Sequence, residues 1–348
     1  MPRERLGPGL VLMFVITQAF RDVYFANAFQ GIDFFLVILV AFAISAVAFA
    51  GVTMIRDPDA LARMRGELPA LAWINVTTAI AWISYFFSLK HLQPSVVNTL
   101  HSGAGPLTVI LLASFGIHIA QPSLLRRAEY VCQAGLAASL GVLWWVVLTG
   151  HSGVKPESLL MTVVSVALPV VSGASITVSL LWCKRLSEHG IGADAITAGR
   201  YLLMILIALL VLVTRDGPSG IGTTGDFVTL AVAATALIAL PLYALQLGIA
   251  RTAPLTAHVI RSLGPVLVFG LELADDRIAY SGLTLLGIAL YSVFAIAGNL
   301  ARISHTPCGL RCSFGAADTA SGGESVSGHT VEPPDAGDAR RKATQRAG

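Results

Sequence analysis

The chain has 348 residues, of which 55% are hydrophobic and only 12% are charged, and its mean hydropathy is +0.74. Soluble domains usually carry about 25% charged residues, so this composition excludes a soluble protein and indicates an integral membrane protein. The net charge of +3 is small, and no nucleic-acid partner is expected.

Ten apolar segments follow one another along the chain, each long enough to cross a bilayer. A spanning helix needs about 20 mostly apolar residues, because its backbone polar groups must be paired within the segment. The segments are residues 8–26, 33–54, 69–89, 95–117, 129–149, 159–182, 195–214, 227–250, 255–273 and 281–301. Their connections are mostly short, so we expect no soluble catalytic domain between them.

Lysine and arginine are unevenly distributed between the two ends of these segments. If the N-terminus is cytoplasmic, the cytoplasmic flanks hold Arg3, Arg5, Arg56, Arg63, Arg65, Arg126, Arg127, Lys184, Arg185, Arg251, Arg302 and Arg311. The opposite flanks hold Lys90, Lys155, Arg215 and Arg277. This excess of positive charge on one side predicts that both termini are cytoplasmic and that the number of spans is even. We expect a multi-pass protein of the plasma membrane, with an organelle membrane as the alternative.

Two segments of the chain look like copies of one another. Pro94 opens an apolar run that contains the pair Gly105-Pro106, and Pro254 opens one that contains Gly264-Pro265. A basic residue follows each opening proline by seven positions, His101 in the first segment and Arg261 in the second.

Dividing the chain near residue 153 leaves five predicted helices in each half. Because five is odd, the second copy enters the membrane from the opposite face, and the two copies are inverted repeats. The predicted fold is an all-α integral membrane protein with ten transmembrane helices in two inverted five-helix repeats. Residues 1–153 and 154–301 are the predicted repeats, and the polar residues 302–348 are a predicted disordered cytoplasmic tail.

The duplicated segments resemble the fourth and ninth helices of the drug/metabolite transporter superfamily, in its EamA-like branch. Residues 135–145 and 282–291, which are punctuated by glycine and end in aromatic side chains, resemble the closing helix of each repeat. The resemblance covers most of residues 10–301 and implies a transporter with a central site between the repeats. A more distant similarity to triose-phosphate and nucleotide-sugar translocators involves Thr256, His258 and Arg261, although the paired Lys-Arg phosphate clamp of that branch is not reproduced.

The most informative candidate for substrate binding is Arg261. An arginine near the bilayer centre costs about 2.5–3.5 kcal/mol on insertion scales, so its retention needs a reason. Arg261 and His258 are three residues apart and share a helix face, and the natural partner of the guanidinium is an anionic substrate group. A structural ion pair is the alternative. In the first copy, His101 with Asn98 and Ser102 is the corresponding candidate, and a histidine bonded only to the backbone is the alternative.

Asp22 is the candidate for proton coupling. It adjoins Arg21, and since adjacent helical residues point in different directions, we do not expect the two to neutralise one another. A solvated pair at the membrane interface is the alternative. Glu272, at the end of the ninth predicted helix, is expected in water.

Three further polar residues are weaker candidates for substrate contact: Asn75 on the third predicted helix, and Tyr243 and Gln246 on the eighth. Small polar residues in membrane helices often serve packing instead. Arg200 lies near the start of the seventh predicted helix, and we expect its side chain to extend to the membrane interface.

The sequence predicts an alternating-access transporter of a small polar metabolite, anionic if Arg261 contacts it, and more specifically an exporter. An exchange antiporter of sugar phosphates or nucleotide sugars is the alternative within this fold. A non-transporting membrane protein or a membrane transferase is the alternative of another class. No HExxH, GxSxG or phosphate-binding glycine loop is present, so we expect no enzyme, metal or cofactor. The expected partners are the substrate, the lipid bilayer, and protons or a counter-substrate; a homodimer is left open.

Overall fold

The computed structural model describes residues 2–115, 127–154, 158–215, 224–249, 252, 254–276 and 278–303. Every regular element within these ranges is a helix, which confirms the predicted all-α class. The predicted tail lies outside the described residues from residue 304 onward.

The helices follow one another with short connections. They are α1 (Pro2–Ala28), α2 (Phe34–Arg56), α3 (Ala60–Gly66), α4 (Leu68–His91), α5 (Pro94–Ser114), α6 (Arg127–Leu148), α7 (Leu159–Glu188), α8 (Ala193–Gly199), α9 (Leu202–Thr214), α10 (Thr224–Ala234), α11 (Leu240–Ile249), α12 (Pro254–Ser262), α13 (Gly264–Glu272) and α14 (Gly282–Ile303). A π-helical turn at Thr235–Ala239 joins α10 to α11.

Nine helical segments of the described chain are long and apolar enough to cross a membrane, which makes this a multi-pass membrane protein. Two of the nine combine neighbouring elements, α8 with α9 and α10 with α11. The tenth predicted segment, residues 255–273, is divided at Leu263 into α12 and α13, each nine residues long. A count of ten spans therefore stays a prediction.

Local sequence explains where several helices begin. Asp33 accepts a hydrogen bond from the backbone N–H of Phe35 at 2.8 Å, and Ser158 accepts one from Met161 at 3.2 Å, so each caps a helix N-terminus. Pro94 opens α5, and a proline is tolerated there because an N–H in the first turn of a helix has no acceptor within the helix.

The helices pack in a pattern that brings α1, α5 and α7 to the middle of the bundle. α7 packs along α4 and also against α5, while α1 packs against α11, α12 and α13. α6 pairs with α14, α2 with α8 and α9, and α5 with α13. His101 therefore lies on a helix of this central group, and α12, which carries Arg261, packs against α1.

Glycine permits the closest of these helix crossings. A side-chain carbon at Gly173 of α7 would overlap the backbone carbonyl oxygen of His101 in α5. Glycines also bring α6 and α14 together, because Gly135 faces the ring of Phe294 and Gly287 faces Leu143. Small residues let membrane helices approach backbone to backbone, and at Gly173 this contact fixes the position of His101.

Gly173→Ala is expected to destabilise the protein by about 1–3 kcal/mol, because the added methyl group must push α5 and α7 apart. The measurement is the thermal unfolding temperature of the purified protein in detergent. Gly141→Ala, also within a membrane helix, is the matched control, since nothing lies within 4 Å of the added carbon there. Equal unfolding temperatures for the two variants would contradict this account of the crossing.

Candidate functional site

Two adjoining cavities lie among the membrane-spanning helices. The larger, of about 250 Å³, is bounded by α5, α6, α7, α12 and α14. The smaller, of about 140 Å³, is bounded by α1, α4, α5, α7, α11, α12 and the junction between α8 and α9. His101, Ile176, Leu180 and Arg261 line both of them. Binding sites for drug-sized ligands usually have about 300–1,000 Å³, so these volumes suit a small ligand.

Arg261 occupies the last turn of α12, immediately before the break at Leu263. No described carboxylate lies within salt-bridge distance of its guanidinium. Arg261 and its counterpart His101 line the same two cavities, as the sequence predicted for a shared site. Ser102 lines the larger one.

His101 is held by hydrogen bonding to α7. Its Nδ1 lies 3.0 Å from Oγ of Ser172, and that hydroxyl donates its proton to the carbonyl oxygen of Ala81 at 2.6 Å. Because a hydroxyl has one proton, Ser172 must accept the N–H of Nδ1, which leaves Nε2 as the acceptor of the neutral ring. The Tyr85 ring packs edge-on, with 4.8 Å between ring centroids.

Arg200 is a cavity residue, and the expectation that it extends to the interface is wrong. Its side chain is 7% exposed and lines the smaller cavity between the ends of α8 and α9. One guanidinium nitrogen lies 3.5 Å from the hydroxyl of Thr78 and 3.4 Å from that of Ser179, and its Nε has no hydrogen-bond partner. No described carboxylate is within salt-bridge distance. The side chain turns inward because it lies at a helix break that packs against α4 and α7.

Asn75 holds that break together. Its amide nitrogen donates to the carbonyl oxygens of Leu71 at 3.0 Å and Gly199 at 2.8 Å, and its oxygen accepts the N–H of Leu203 at 3.0 Å. A break inside a membrane protein frees backbone groups that need new partners, and Asn75 supplies them for both helix ends. It lines neither cavity, so it positions Arg200 instead of offering its own amide to a ligand.

A buried ion pair joins Arg21 and Asp22, contrary to the expectation that the two do not neutralise one another. Oδ1 of Asp22 accepts from Nε of Arg21 at 2.9 Å and from Nη2 at 2.7 Å. The side chains are 4% and 0% exposed, so the solvated interfacial alternative is also wrong. The long arginine side chain curls back to its neighbour because α4 and α5 exclude water from both.

Tyr85 and Asn98 complete the surroundings of Asp22. Oδ2 of Asp22 accepts the Tyr85 hydroxyl proton at 2.7 Å and an Asn98 amide proton at 2.8 Å. Arg21 lies over the rings of Trp82 and Tyr85, 5.2 and 5.4 Å from their centroids. Arg21 and Tyr85 line the smaller cavity, whereas Asp22 and Asn98 line neither. Asn98 therefore anchors Asp22 behind the cavity wall.

Glu272 is buried, not in water as expected. It is 2% exposed and accepts hydrogen bonds from Nε2 of Gln93 at 2.8 Å and from the backbone N–H of Ser95. A carboxylate at the N-terminus of a helix, here α5, is favoured by the free N–H groups and the helix dipole. The Gln93 oxygen accepts the N–H of Gly153 at 3.2 Å, which connects α13, α5 and the segment after α6.

Of the remaining predicted contacts, Tyr243 is not brought to the cavities. The Tyr243 ring packs against Phe49 at 5.5 Å between centroids and lines neither cavity, although its neighbours Leu242 and Leu245 line the smaller one. The side chains of His258 and Gln246 lie outside the described residues.

Sequence reasoning missed several polar residues of the cavity walls. Among them are Gln18, Arg21, Gln133, Arg200, Tyr291 and Asn299. The signal that marks the arginines is a charge inside an apolar span, which by itself indicates a functional position. No comparable signal distinguishes the uncharged residues from packing residues.

Asp22→Asn is expected to destabilise the protein by about 3–5 kcal/mol, because it leaves the Arg21 charge buried without a partner. The double variant Arg21→Gln, Asp22→Asn removes both charges and should recover most of that loss. The measurement is a double-mutant cycle: the unfolding temperatures of the wild type, Arg21→Gln, Asp22→Asn and the double variant are compared. A double variant as unstable as the sum of the two single variants would contradict direct pairing.

Comparison with known proteins bears on the fold alone. No family model matches the sequence, and no curated protein matches it. The structure is similar to a solved structure described only as "Crystal structure of protein", with a TM-score of 0.58 over 88% of this chain and 99% of that chain. The two sequences are 18% identical, so what they share is the arrangement of helices.

Proposed function

We propose that this protein is an alternating-access transporter that exports a small anionic metabolite across the plasma membrane, with both termini cytoplasmic. One observation carries the proposal. Arg200 and Arg261 line an internal cavity among the membrane-spanning helices, and no described carboxylate accompanies either.

The reason lies in the cost of an unpaired charge in a membrane protein. A buried charge without a partner is strongly unfavourable, and ionisable residues within membrane segments usually mark the path of a substrate. A carboxylate or phosphate would supply the partner and accept two parallel hydrogen bonds from a guanidinium. An anion therefore suits this cavity better than a neutral or cationic molecule.

The pattern of helix packing supports two inverted repeats of five spans. In such repeats α1 corresponds to α7, α4 to α10–α11, and α5 to α12–α13. The packing of α7 against α4 and α5 then has an equivalent in the packing of α1 against α11 and α12–α13. Both sets are present. The pairs α6 with α14, α2 with α8–α9 and α5 with α13 map onto themselves. Such a pattern suits two states that open to opposite sides, and we propose that the chain belongs to the EamA-like branch of the drug/metabolite transporter superfamily.

In this mechanism the two halves rock around the cavity while the anion stays on Arg261. His101, fixed to α7 through Ser172, faces the arginine from the first half. Arg261 lies beside the break between α12 and α13, and Arg200 lies at the break between α8 and α9. Discontinuous helices at a central site are a common feature of carriers with repeats.

The second candidate, an obligate exchanger of phosphorylated or otherwise anionic metabolites, is favoured by the same two arginines. An empty carrier must occlude two unpaired charges as it reorients, whereas a loaded carrier occludes charges that are compensated. Reorientation without ligand is then the slower step. In proteoliposomes, an exchanger moves labelled anion only with counter-anion inside, and a proton-driven exporter responds to an imposed pH gradient.

Arg261→Ala is expected to abolish transport while leaving the fold nearly intact. Metabolite profiling of cells and medium, with and without the protein, should reveal one or a few anions that the wild type moves and the variant does not. The loss of one charge-assisted contact should weaken binding by about 10- to 100-fold. Arg215→Ala, at a position whose side chain is 62% exposed, is the control. Normal transport by Arg261→Ala would remove the residue from the site.

Asp22→Asn should abolish dependence on the proton gradient if coupling resides at this carboxylate. The assay is gradient-driven transport, in proteoliposomes, of the anion that the profiling identifies. The double variant Arg21→Gln, Asp22→Asn separates the lost proton site from the unpaired arginine, because it lacks both charges. Gradient dependence that persists in either variant would exclude Asp22 from coupling.

A further inference from the structure

We infer that Arg200 and Arg261 together form a two-point site for a small dianion, either a dicarboxylate or a phosphate monoester. This rests on the proposed function, which requires only that one anionic group reach Arg261. The inference adds a second contact and the charge of the substrate.

The first step is the balance of charge around the smaller cavity. Three arginines line it: Arg21, Arg200 and Arg261. Arg21 is neutralised by Asp22 in a pair that excludes water. Since no other carboxylate of the described chain reaches these guanidinium groups, two positive charges remain. A monoanion would leave one of them unpaired, whereas a dianion matches both.

The second step is the incomplete hydrogen bonding of Arg200. Its side chain is more than nine-tenths buried and its Nε has no partner. Among the described residues, its side chain hydrogen-bonds to the hydroxyls of Thr78 and Ser179, both at long distances. Those two hydroxyls are 2.8 Å apart and bonded to one another. Buried polar groups in proteins are almost always satisfied, so this guanidinium has donors to spare for a ligand.

The third step is that neighbouring residues fix the position of Arg200. Asn75 closes the break between α8 and α9 with two hydrogen bonds, to Gly199 and Leu203, and leaves Arg200 at the gap. The guanidinium lies over the ring of Tyr201, 5.4 Å from its centroid. Tyr201 itself is 1% exposed and packs against Phe42. A side chain fixed in this way needs little reordering when it binds an anion.

The cavity walls between the two arginines limit the size and chemistry of the part of the dianion that joins its two charged groups. Trp82, Tyr85 and Tyr201 line this cavity with aromatic surface, and the volume is about 140 Å³. These dimensions suit a short carbon chain better than the base and ribose of a nucleotide. The site thus favours compact metabolites with two negative charges.

The test measures ligand-induced shifts in thermal unfolding of the purified full-length protein in detergent at constant ionic strength. The probes are malonate, succinate, glutarate and adipate, each compared with its monoamide, and methyl phosphate compared with dimethyl phosphate. Each pair differs by one negative charge at nearly the same size. The two sets distinguish a dicarboxylate site from a phosphate site.

For the wild type, we expect at least one dianion to bind about tenfold or more tightly than its monoanionic partner. In Arg200→Gln this preference should fall to about twofold or less, with the affinity for the monoanion unchanged within about twofold. Arg261→Gln should weaken the binding of both members of a pair. Arg215→Gln, which removes an exposed arginine, should behave as the wild type.

The outcomes separate this inference from the proposed function. Suppose that anions bind and that their binding depends on Arg261. The two-point site is then overturned if dianions are not preferred, or if Arg200→Gln retains the preference, and in both cases the proposed anion carrier stands. If no anion stabilises the wild type, both fall. If Arg200→Gln does not fold, Arg200→Met decides: it also removes the charge but keeps a long unbranched side chain, and an unchanged dianion preference would count against the inference.

Discussion

A charge enclosed by membrane-spanning helices is stable only with a partner, because little water is available to solvate it, and this constraint organises the centre of the protein. Arg21 satisfies it through Asp22, whose carboxylate accepts four hydrogen bonds from Arg21, Tyr85 and Asn98. These bonds hold α1, α4 and α5 together around one neutral unit. Arg200 and Arg261 have no such carboxylate among the described residues, which is the basis for proposing a ligand of opposite charge.

Both of those arginines lie beside interruptions of a helix. Arg200 lies between α8 and α9, and Arg261 precedes the break between α12 and α13. An interrupted helix within a membrane is tolerated only where the freed backbone groups are paired inside the protein or line a cavity. Asn75 performs that pairing at the first break. The same positions are therefore where a charge faces the cavity and where the helical hydrogen bonding is interrupted.

The duplicated prolines and glycines led to His101 and Arg261, and these residues line common cavities. Other expectations failed for one shared reason. Position within each predicted helix suggested that Arg21 and Asp22 diverge, that Arg200 reaches the interface and that Glu272 is in water, yet all four are buried. The partners that bury them are 63 to 179 residues away for Asp22 and Glu272, and such contacts leave no local pattern in the chain.

By itself, the sequence determined the class of the protein and the helical nature of its segments, since hydrophobic composition and length are properties of each segment alone. It also indicated a duplication and a basic residue at the matching position in each copy. Only the tertiary structure decided which arginines are paired and which face a cavity, because pairing depends on side chains from helices far apart in the chain. That distinction between Arg21 on one side and Arg200 and Arg261 on the other is what points to an anionic substrate.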